Sequence, residues 1–296
     1  ADGLWSRPAN WTEDQLPRAI DMAESWQYTN AGNPMLIDSS LVGPDAAVCY
    51  DLSINGEYGT SQKAYLDITG GELLVANNFM IGENGPYAGG VVNISEGWVS
   101  VGNQFSVGRH GEGVLTMTGG GVHIAGLLGI PTHTSEPTAT GTVYLHDGKV
   151  LCDSLYIPDG QGGRLDIEQG TLMIDGNHEK DVWEYIENGK ITSYGGKGVF
   201  RVDFSERNLA KTTVTALPRG DMNGDGRADN IDLSMLVDCW LINEIFGDCQ
   251  AADMYPVDSG DGKIEAGDFS VFASVYLPEK SSQPTSRLLR EGDGYS

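Results

Sequence analysis

The chain has 296 residues, with 42 Asp or Glu against 18 Lys or Arg, so its formal net charge at pH 7 is −24. Nucleic acid and anionic membrane surfaces are therefore poor partners, because like charges repel, and no run of about 18 apolar residues predicts a membrane span. The 41 glycines indicate a protein rich in turns rather than a helical one.

The first 47 residues lack the pattern that follows, and we predict that residues 1–47 form an N-terminal cap. Thr12 followed by Gln15 resembles a capping box and predicts a helix that continues to Trp26. The start Ala-Asp-Gly is expected of a mature terminus after removal of a signal peptide, although an engineered start would look the same. A cap is expected here because the end of a stacked β-structure exposes backbone edges.

The next region, residues 48–205, contains an irregular repeat: two alternating apolar residues, a glycine, and a further apolar residue. Subtraction of the residue numbers places the glycines 26, 23, 28, 22 and 19 residues apart. The copies are Leu66, Ile68, Gly71 and Leu73; Val92, Ile94, Gly97 and Val99; Leu115, Met117, Gly120 and Val122; Val143, Leu145, Gly148 and Val150; Leu165, Ile167, Gly170 and Leu172; and a degraded copy with Ile186, Gly189 and Ile191.

This repeat predicts short strands separated by sharp bends. Alternating apolar residues indicate a strand with one buried face, and each glycine marks a bend in a backbone conformation that other residues avoid. Further strands are expected at 79–81, 105–107 and 155–157. Two or three strands per period fit one coil of a solenoid. We therefore predict a mainly β protein with a right-handed parallel β-solenoid, and a β-sandwich is the alternative.

Near the start, Leu4-Trp5 and Asn10-Trp11 accompany this repeat. Together they resemble the glycine-rich solenoid surface proteins of environmental bacteria such as planctomycetes, over residues 1 to about 205. The resemblance implies an exported surface protein.

An acidic segment, residues 221–232, reads DMNGDGRADNID. Calcium loops of about 12 residues take oxygen ligands from positions 1, 3, 5, 7, 9 and 12 and need Gly at position 6, which Gly226 supplies. Hard oxygen donors favour calcium over transition metals, and a solvated acidic loop is the alternative. The predicted ligands are Asp221, Asn223, Asp225, Arg227 through its carbonyl, Asp229 and Asp232.

The loop and the apolar helix predicted after it recur 36 residues later, where Asp225-Gly226 becomes Asp261-Gly262. This duplication resembles the type I dockerin over about residues 219–279 and implies a small α-helical, paired EF-hand-type domain, for which we predict bounds of 219–280. Residues 206–218 are the expected linker and 281–296 a polar tail.

The second loop departs from the pattern, since its positions 1 and 3 are Val257 and Ser259. Asp253 or Asp258 is a candidate replacement for the missing first carboxylate in a longer loop. The candidate ligands here are Asp253, Asp258, Ser259, Asp261, Lys263 through its carbonyl and Asp268. Dockerins bind cohesins largely through loop positions 10 and 11, which here are Asn230-Ile231 and Ala266-Gly267, so the resemblance implies calcium binding more strongly than cohesin binding.

The four cysteines give information on the cellular compartment of the protein. Cys239 and Cys249 are close enough in sequence for a local disulfide, whereas Cys49 and Cys152 lie several predicted coils apart and are expected not to pair. A disulfide beside calcium-type loops favours a secreted or cell-surface setting.

Catalytic motifs are absent from the sequence, and the few basic residues of the solenoid are scattered. We therefore predict a non-catalytic extracellular structural protein that associates with itself into a filament or surface layer, because an uncapped solenoid end, expected near residues 200–204, is a template for strand pairing. The alternative is a carbohydrate-active enzyme, such as a polysaccharide lyase, or a sugar-binding protein that docks to a cohesin-like partner. Asn10 and Asn93 begin sequons for glycan attachment.

Overall fold

A computed structural model describes residues 4–11, 15–25, 34–57, 61–83, 85, 89–132, 139–225, 227–240, 247–255 and 262–276. Over these residues the protein is mainly β, with a β-solenoid of about six turns. Every pairing among the first thirteen strands is parallel. The predicted β-solenoid is therefore confirmed, since the sheets of a sandwich are antiparallel.

The elements are named in chain order. The strands are β1 (Met22–Ser25), β2 (Met35–Ile37), β3 (Ala47–Cys49), β4 (Asp51–Ile54), β5 (Lys63–Val75), β6 (Asn78–Ile81), β7 (Gly89–Val101), β8 (Gln104–Val107), β9 (Glu112–Gly129), β10 (Thr140–Tyr156), β11 (Gly162–Ile167), β12 (Thr171–Asp175), β13 (Ile191–Ser193), β14 (Gly198–Phe204) and β15 (Lys211–Pro218). The α-helices are α1 (Glu179–Glu187), α2 (Asn230–Asp238) and α3 (Ala266–Val275).

The strands form three faces of the solenoid. Face 1 stacks β2, the first halves of β5, β7, β9 and β10, and then β11 and β13. Face 2 stacks β3, the later parts of the same four strands, and β12. Face 3 stacks β1, β4, β6, β8 and the ends of β9 and β10. The long strands therefore bend at the corner between faces 1 and 2.

Glycines make that corner, as the repeat predicted. Gly71, Gly97, Gly120 and Gly148 have φ of +74°, +87°, +70° and +90°. A Cβ built on Gly97 would lie 2.7 Å from two carbonyl oxygens of the preceding coil, so close stacking of the coils requires glycine there.

Gly170 differs from these four, because its φ is not positive. A Cβ there would instead meet the Leu145 side chain at 2.3 Å. This glycine is therefore required by side-chain packing and not by a left-handed bend.

Identical positions in successive coils stack on one another. The rings of Phe79 and Phe105 are parallel within 4°, with centroids 4.4 Å apart. At one corner the Asn77 amide donates to Asp51 at 3.0 Å and the Asn103 amide donates to the Asn77 oxygen at 3.3 Å. These contacts hold the register from coil to coil.

The N-terminal segment contributes strands to the solenoid. β1 and β2 lie within residues 1–47, and Leu4 forms a parallel bridge with Leu36. The predicted helix up to Trp26 is wrong for residues 15–25, where Arg18 binds the Asp21 carboxylate in a turn and β1 follows. Thr12 and Trp26 themselves lie outside the described residues.

The C-terminal end of the solenoid also departs from the simple repeat. Ile186, expected in a degraded strand, lies in α1, which occupies the position of face 3 on the last coil and buries Val182. Residues 206–218, expected as a linker, include β15, which pairs antiparallel with both β12 and β14. The expectation that nothing covers 200–204 is therefore wrong. The predicted tail, 281–296, lies outside the described residues.

Candidate metal centre

The C-terminal residues form a compact unit with its own apolar core. α2, α3 and a 3-10 segment, Gly247–Ala252, surround this core, and the Cys239–Cys249 disulfide ties α2 to the 3-10 segment with 5.6 Å between the Cα atoms. The disulfide predicted from the sequence is confirmed. The buried members of the core are Val199, Met222, Ala228, Leu236, Cys239, Ala251, Ala252, Met254, Ile264, Val271 and Phe272.

The first acidic loop is organised around the carboxylate of Asp232, which is fully buried. One of its oxygens accepts the backbone N–H of Met222 at 2.7 Å and of Asn223 at 3.0 Å. The other oxygen accepts the N–H of Asp229 at 2.8 Å. Three backbone donors converge on one carboxylate, which joins the start of the loop to the first turn of α2.

Asp221 closes the other side of this loop. Its side chain is 1% exposed and accepts N–H groups from Gly224 at 2.7 Å and Asp225 at 3.1 Å. Asp229 is also buried and caps α2 by accepting the N–H of Ile231 at 2.8 Å. Two fully buried carboxylates and a third nearly buried one are thus held within twelve residues that carry four Asp and one Arg.

The remaining predicted ligands of this loop lie at the surface. Asn223, Asp225 and Arg227 are exposed. The Asn223 oxygen accepts the N–H of Asp225 at 2.8 Å, and the Asp225 carboxylate accepts the N–H of Arg227 at 3.0 Å. The loop therefore has a buried acidic side and an open side that faces solvent.

The second loop repeats the first around Asp268, which is likewise fully buried. One oxygen of Asp268 accepts the N–H groups of Met254 at 2.6 Å and Tyr255 at 2.8 Å, and the other accepts the N–H of Glu265 at 2.8 Å. Met254 and Tyr255 thus take the roles of Met222 and Asn223.

This correspondence identifies the counterpart of Asp221 as Asp253. The Asp253 carboxylate accepts the N–H of Gly262 at 2.8 Å, as Asp221 accepts N–H groups of its own loop. Asp221 and Asp232 are 11 residues apart (232 − 221), whereas Asp253 and Asp268 are 15 apart (268 − 253), so the second loop is four residues longer. Of the two replacements that the spacing left open, Asp253 has this contact, and Asp258 lies outside the described residues.

The other predicted ligands of the second loop contribute less to this geometry. Asp258, Ser259 and Asp261 lie outside the described residues, and Lys263 is exposed. Among the residues that the structure describes, no group of three or more His, Cys, Asp or Glu side chains is arranged to hold a metal. The residues fit calcium in chemistry, because buried carboxylates, an amide and backbone carbonyls are its preferred oxygen ligands.

Two further contacts at this unit were not predicted. The Tyr276 hydroxyl donates to the Asn230 oxygen at 2.5 Å and so joins the end of α3 to the start of α2. Val199 of β14 is buried in the core of the C-terminal unit. Both are long-range contacts of single side chains, which no local pattern indicates.

The two other cysteines are free thiols in the solenoid core. Burial raises the pKa of Cys49 and of Cys152 to about 12, with a smaller contribution from neighbouring aspartates. Cys49 and Cys152 are therefore protonated at neutral pH. Because both are free thiols, the prediction that they do not form a disulfide with each other is confirmed.

An open groove lies on face 1 beside β10 and β11. Tyr144 is 39% exposed, and its ring stacks on that of His146 with centroids 5.8 Å apart. Arg164, Asn188 and Lys190 also line the groove. Lys190 is engaged by the carboxylate of Asp159 at 2.5 Å.

Comparison with known proteins places the chain in no family. No protein-family model, curated protein or solved structure matches it. Among the described residues, no helix is both long and apolar enough to cross a membrane.

Proposed function

We propose that this protein is a non-catalytic extracellular structural protein in which a β-solenoid carries a calcium-stabilised, dockerin-like module. The observation that carries the proposal is an arrangement found in both loops. Asp232 in the first loop and Asp268 in the second are fully buried, and the carboxylate of each accepts hydrogen bonds from three backbone N–H groups. Two loops of different length with the same hydrogen bonds point to one function that was duplicated.

Calcium would provide positive charge beside the buried carboxylates of these loops. Burying a carboxylate without a compensating charge is costly, and Asp221 and Asp232 are both buried in a loop whose four Asp and one Arg leave a charge of −3. Metal ligation at such a loop contributes folding free energy directly. The residues that would hold the ions are Asp221, Asn223, Asp225, the Arg227 carbonyl, Asp229 and Asp232, and in the second loop Asp253, Asp258, Ser259, Asp261, the Lys263 carbonyl and Asp268.

The test is thermal melting of the full chain in calcium, in EGTA and in EGTA with magnesium. We expect calcium to raise the melting temperature of the C-terminal transition and EGTA to lower it, with Asp221→Ala removing most of the difference. Asp238→Ala is the matched control, because Asp238 is exposed at the end of α2 outside the loop. Equal melting temperatures in calcium and EGTA would remove the calcium site from the proposal.

Two features support an extracellular, self-associating protein. The Cys239–Cys249 disulfide is of the kind that persists in oxidising compartments. Within the described residues, β3 at the N-terminal end pairs with a strand on one side only, and such an edge is a template for further pairing. We propose a homopolymer as the main assembly and a cohesin-like or surface protein as the alternative partner of the module.

Sugar binding is the second candidate function, and the groove beside β10 favours it. An exposed aromatic ring with polar neighbours is a usual platform for a sugar, and Tyr144 lies beside Arg164 and Asn188. Calorimetric titration with acidic and neutral oligosaccharides tests this candidate. Tyr144→Ala should abolish any binding, whereas Tyr156→Ala, at an equally exposed tyrosine that does not line the groove, should not.

A further inference from the structure

The last strand of the sheet that continues face 2 is an edge strand that the C-terminal unit covers. In the sheet order β14 is terminal, with β15 on one side. On its other side lies the 3-10 segment Gly247–Ala252. The N–H of Val202 donates to the Gln250 side chain at 3.3 Å, so this amide points away from β15. The segment therefore occupies the position of a next strand.

The covering segment is tied covalently to its own unit, whereas it meets β14 through the apolar side chain of Val199, which shares the unit's core, and through Gln250. The Cys239–Cys249 disulfide anchors it, and Ala251 and Ala252 are buried in the unit's core. Among the described contacts, the Val202 N–H donates to a side chain, that of Gln250, at a long 3.3 Å. A paired strand in that place would accept and donate through its backbone along the whole of β14.

Strand β14 is suited to pairing once it is uncovered. Four of its seven residues are Val or Phe, which favour strands. β15 is antiparallel to β12, and β14 is antiparallel to β15, so β14 runs in the same direction as the parallel strands of the solenoid. A further parallel strand of the same kind would continue face 2.

The other end of face 2 offers such a strand. β3 pairs only with β5 among the described residues. The carbonyl of Cys49 accepts the N–H of Ala76 at 2.9 Å, so Cys49 faces β5. Because successive residues of a strand direct their N–H and C=O groups to opposite sides, the peptide groups of Val48 face outward. The next outward N–H, that of Tyr50, donates to the Asp21 carbonyl at 2.8 Å, so Val48 is the position that β3 offers for pairing.

We propose that Gly247–Ala252 is a cover over β14, and that displacing it lets β3 of a second copy of this chain pair with β14 in parallel, head to tail. The inference rests on the self-association proposed above. It adds the two strands that would form the interface and a segment that would regulate when they pair. The homopolymer proposed above then forms only after the cover is displaced, and the closed protein stays monomeric. Heterologous contacts of this kind form open filaments unless the rotation closes a ring.

The test uses the full chain with the cover displaced by Ala252→Asp, which puts a carboxylate into a fully buried site beside β14. Light scattering after gel filtration should show monomers for the wild type and concentration-dependent oligomers for Ala252→Asp. Adding Val48→Pro, which removes the outward N–H at β3, should return the oligomers to monomers. Val48→Ala keeps that N–H and should leave them assembled.

A second measurement does not depend on the proline variant. Hydrogen exchange of the oligomer should show protection at residues 47–49 and 198–204 that the monomer fraction lacks. Monomeric Ala252→Asp, assembly that survives Val48→Pro in a folded chain, or oligomers without protection at both segments would each overturn the inference. All samples are kept in calcium, so a failure of the calcium proposal shows only in the EGTA melting and stays distinguishable.

Discussion

At the scale of single residues, the buried aspartates at the starts of α2 and α3 organise their loops through hydrogen bonds to the backbone. Asp232→Ala removes the acceptor for three backbone N–H groups, of Met222, Asn223 and Asp229. Unsatisfied buried donors cost about 1–3 kcal/mol each. We expect Asp232→Ala to destabilise the C-terminal unit in EGTA as well as in calcium, measured by urea unfolding, whereas exposed Asp238→Ala should change little. An effect confined to calcium would mean that Asp232 acts only as a ligand.

The free thiols give a second prediction at this scale. Cys49 and Cys152 are fully buried, and burial raises the pKa of each thiol to about 12. The thiolate is the reactive form, so a thiol reagent such as DTNB at pH 8 should label neither residue in the native protein and both after unfolding. Rapid labelling of two thiols in the native chain would contradict the described packing. Since the ordinary pKa of a cysteine thiol is 9.0, the unfolded chain loses these protons first, and stability should fall as pH rises from about 9 through about 12.

The first acidic loop was predictable to the extent that its pattern is local. Spacing alone singled out Asp221 and Asp232, which the structure buries, because a loop that closes on itself is fixed within a few residues. Spacing could not choose between Asp253 and Asp258 in the second loop, since its four additional residues shift the positions of the candidate ligands relative to the first loop. The hydrogen bond from Gly262 to Asp253 is a contact that spacing cannot predict, and Asp258 lies outside the described residues.

At the scale of elements, the corner glycines yield a matched pair of substitutions. Gly97 and Gly189 both have positive φ, at +87° and +66°, so alanine at either costs about 1–2 kcal/mol for the left-handed conformation. At Gly97 the new Cβ would also meet backbone of the preceding coil at 2.7 Å, whereas nothing lies within 4 Å at Gly189. Gly97→Ala should therefore destabilise the solenoid clearly more than Gly189→Ala in urea unfolding. Equal effects would mean that the coils can separate locally at no cost.

The elements that the sequence predicted are those with a repeated local cause. Alternating apolar residues and a glycine recur in every central coil, so β5, β7, β9 and β10 were predicted with their bends. α1 was missed because Ile186 and Ile191 continue the apolar pattern of the repeat, although Ile186 lies in a helix and Ile191 in a strand. β15 was missed because Lys211–Pro218 lacks the turn glycine, and its strand conformation depends on pairing with β12 and β14.

At the scale of the whole molecule, the solenoid and the C-terminal unit are not independent bodies joined by a linker. β15 ends at Pro218, and the N–H of Asp221 donates to the Pro218 carbonyl at 3.0 Å. Val199 is buried in the core of the C-terminal unit, while Val202 of the same strand is buried in the solenoid core. The hairpin β14–β15 therefore contributes to the cores of both the solenoid and the C-terminal unit. A structural change in the acidic loops should therefore alter the stability of the last strands of the solenoid.

That continuity leads to a prediction for hydrogen exchange in the full chain. Removing calcium with EGTA should loosen the 221–232 loop and, through Val199 and Asp221, the hairpin β14–β15. We expect amide protection to fall in β14 and β15 by at least about tenfold, which corresponds to about 1.4 kcal/mol of opening free energy, and to stay unchanged in β7 and β9, whose neighbours on both sides are solenoid strands. Asp221→Ala should reproduce the EGTA pattern in calcium, since both act at the same loop. Loss confined to residues beyond 219 would show that the unit unfolds without the hairpin, and equal loss in all strands would show that the solenoid unfolds with it as one cooperative body.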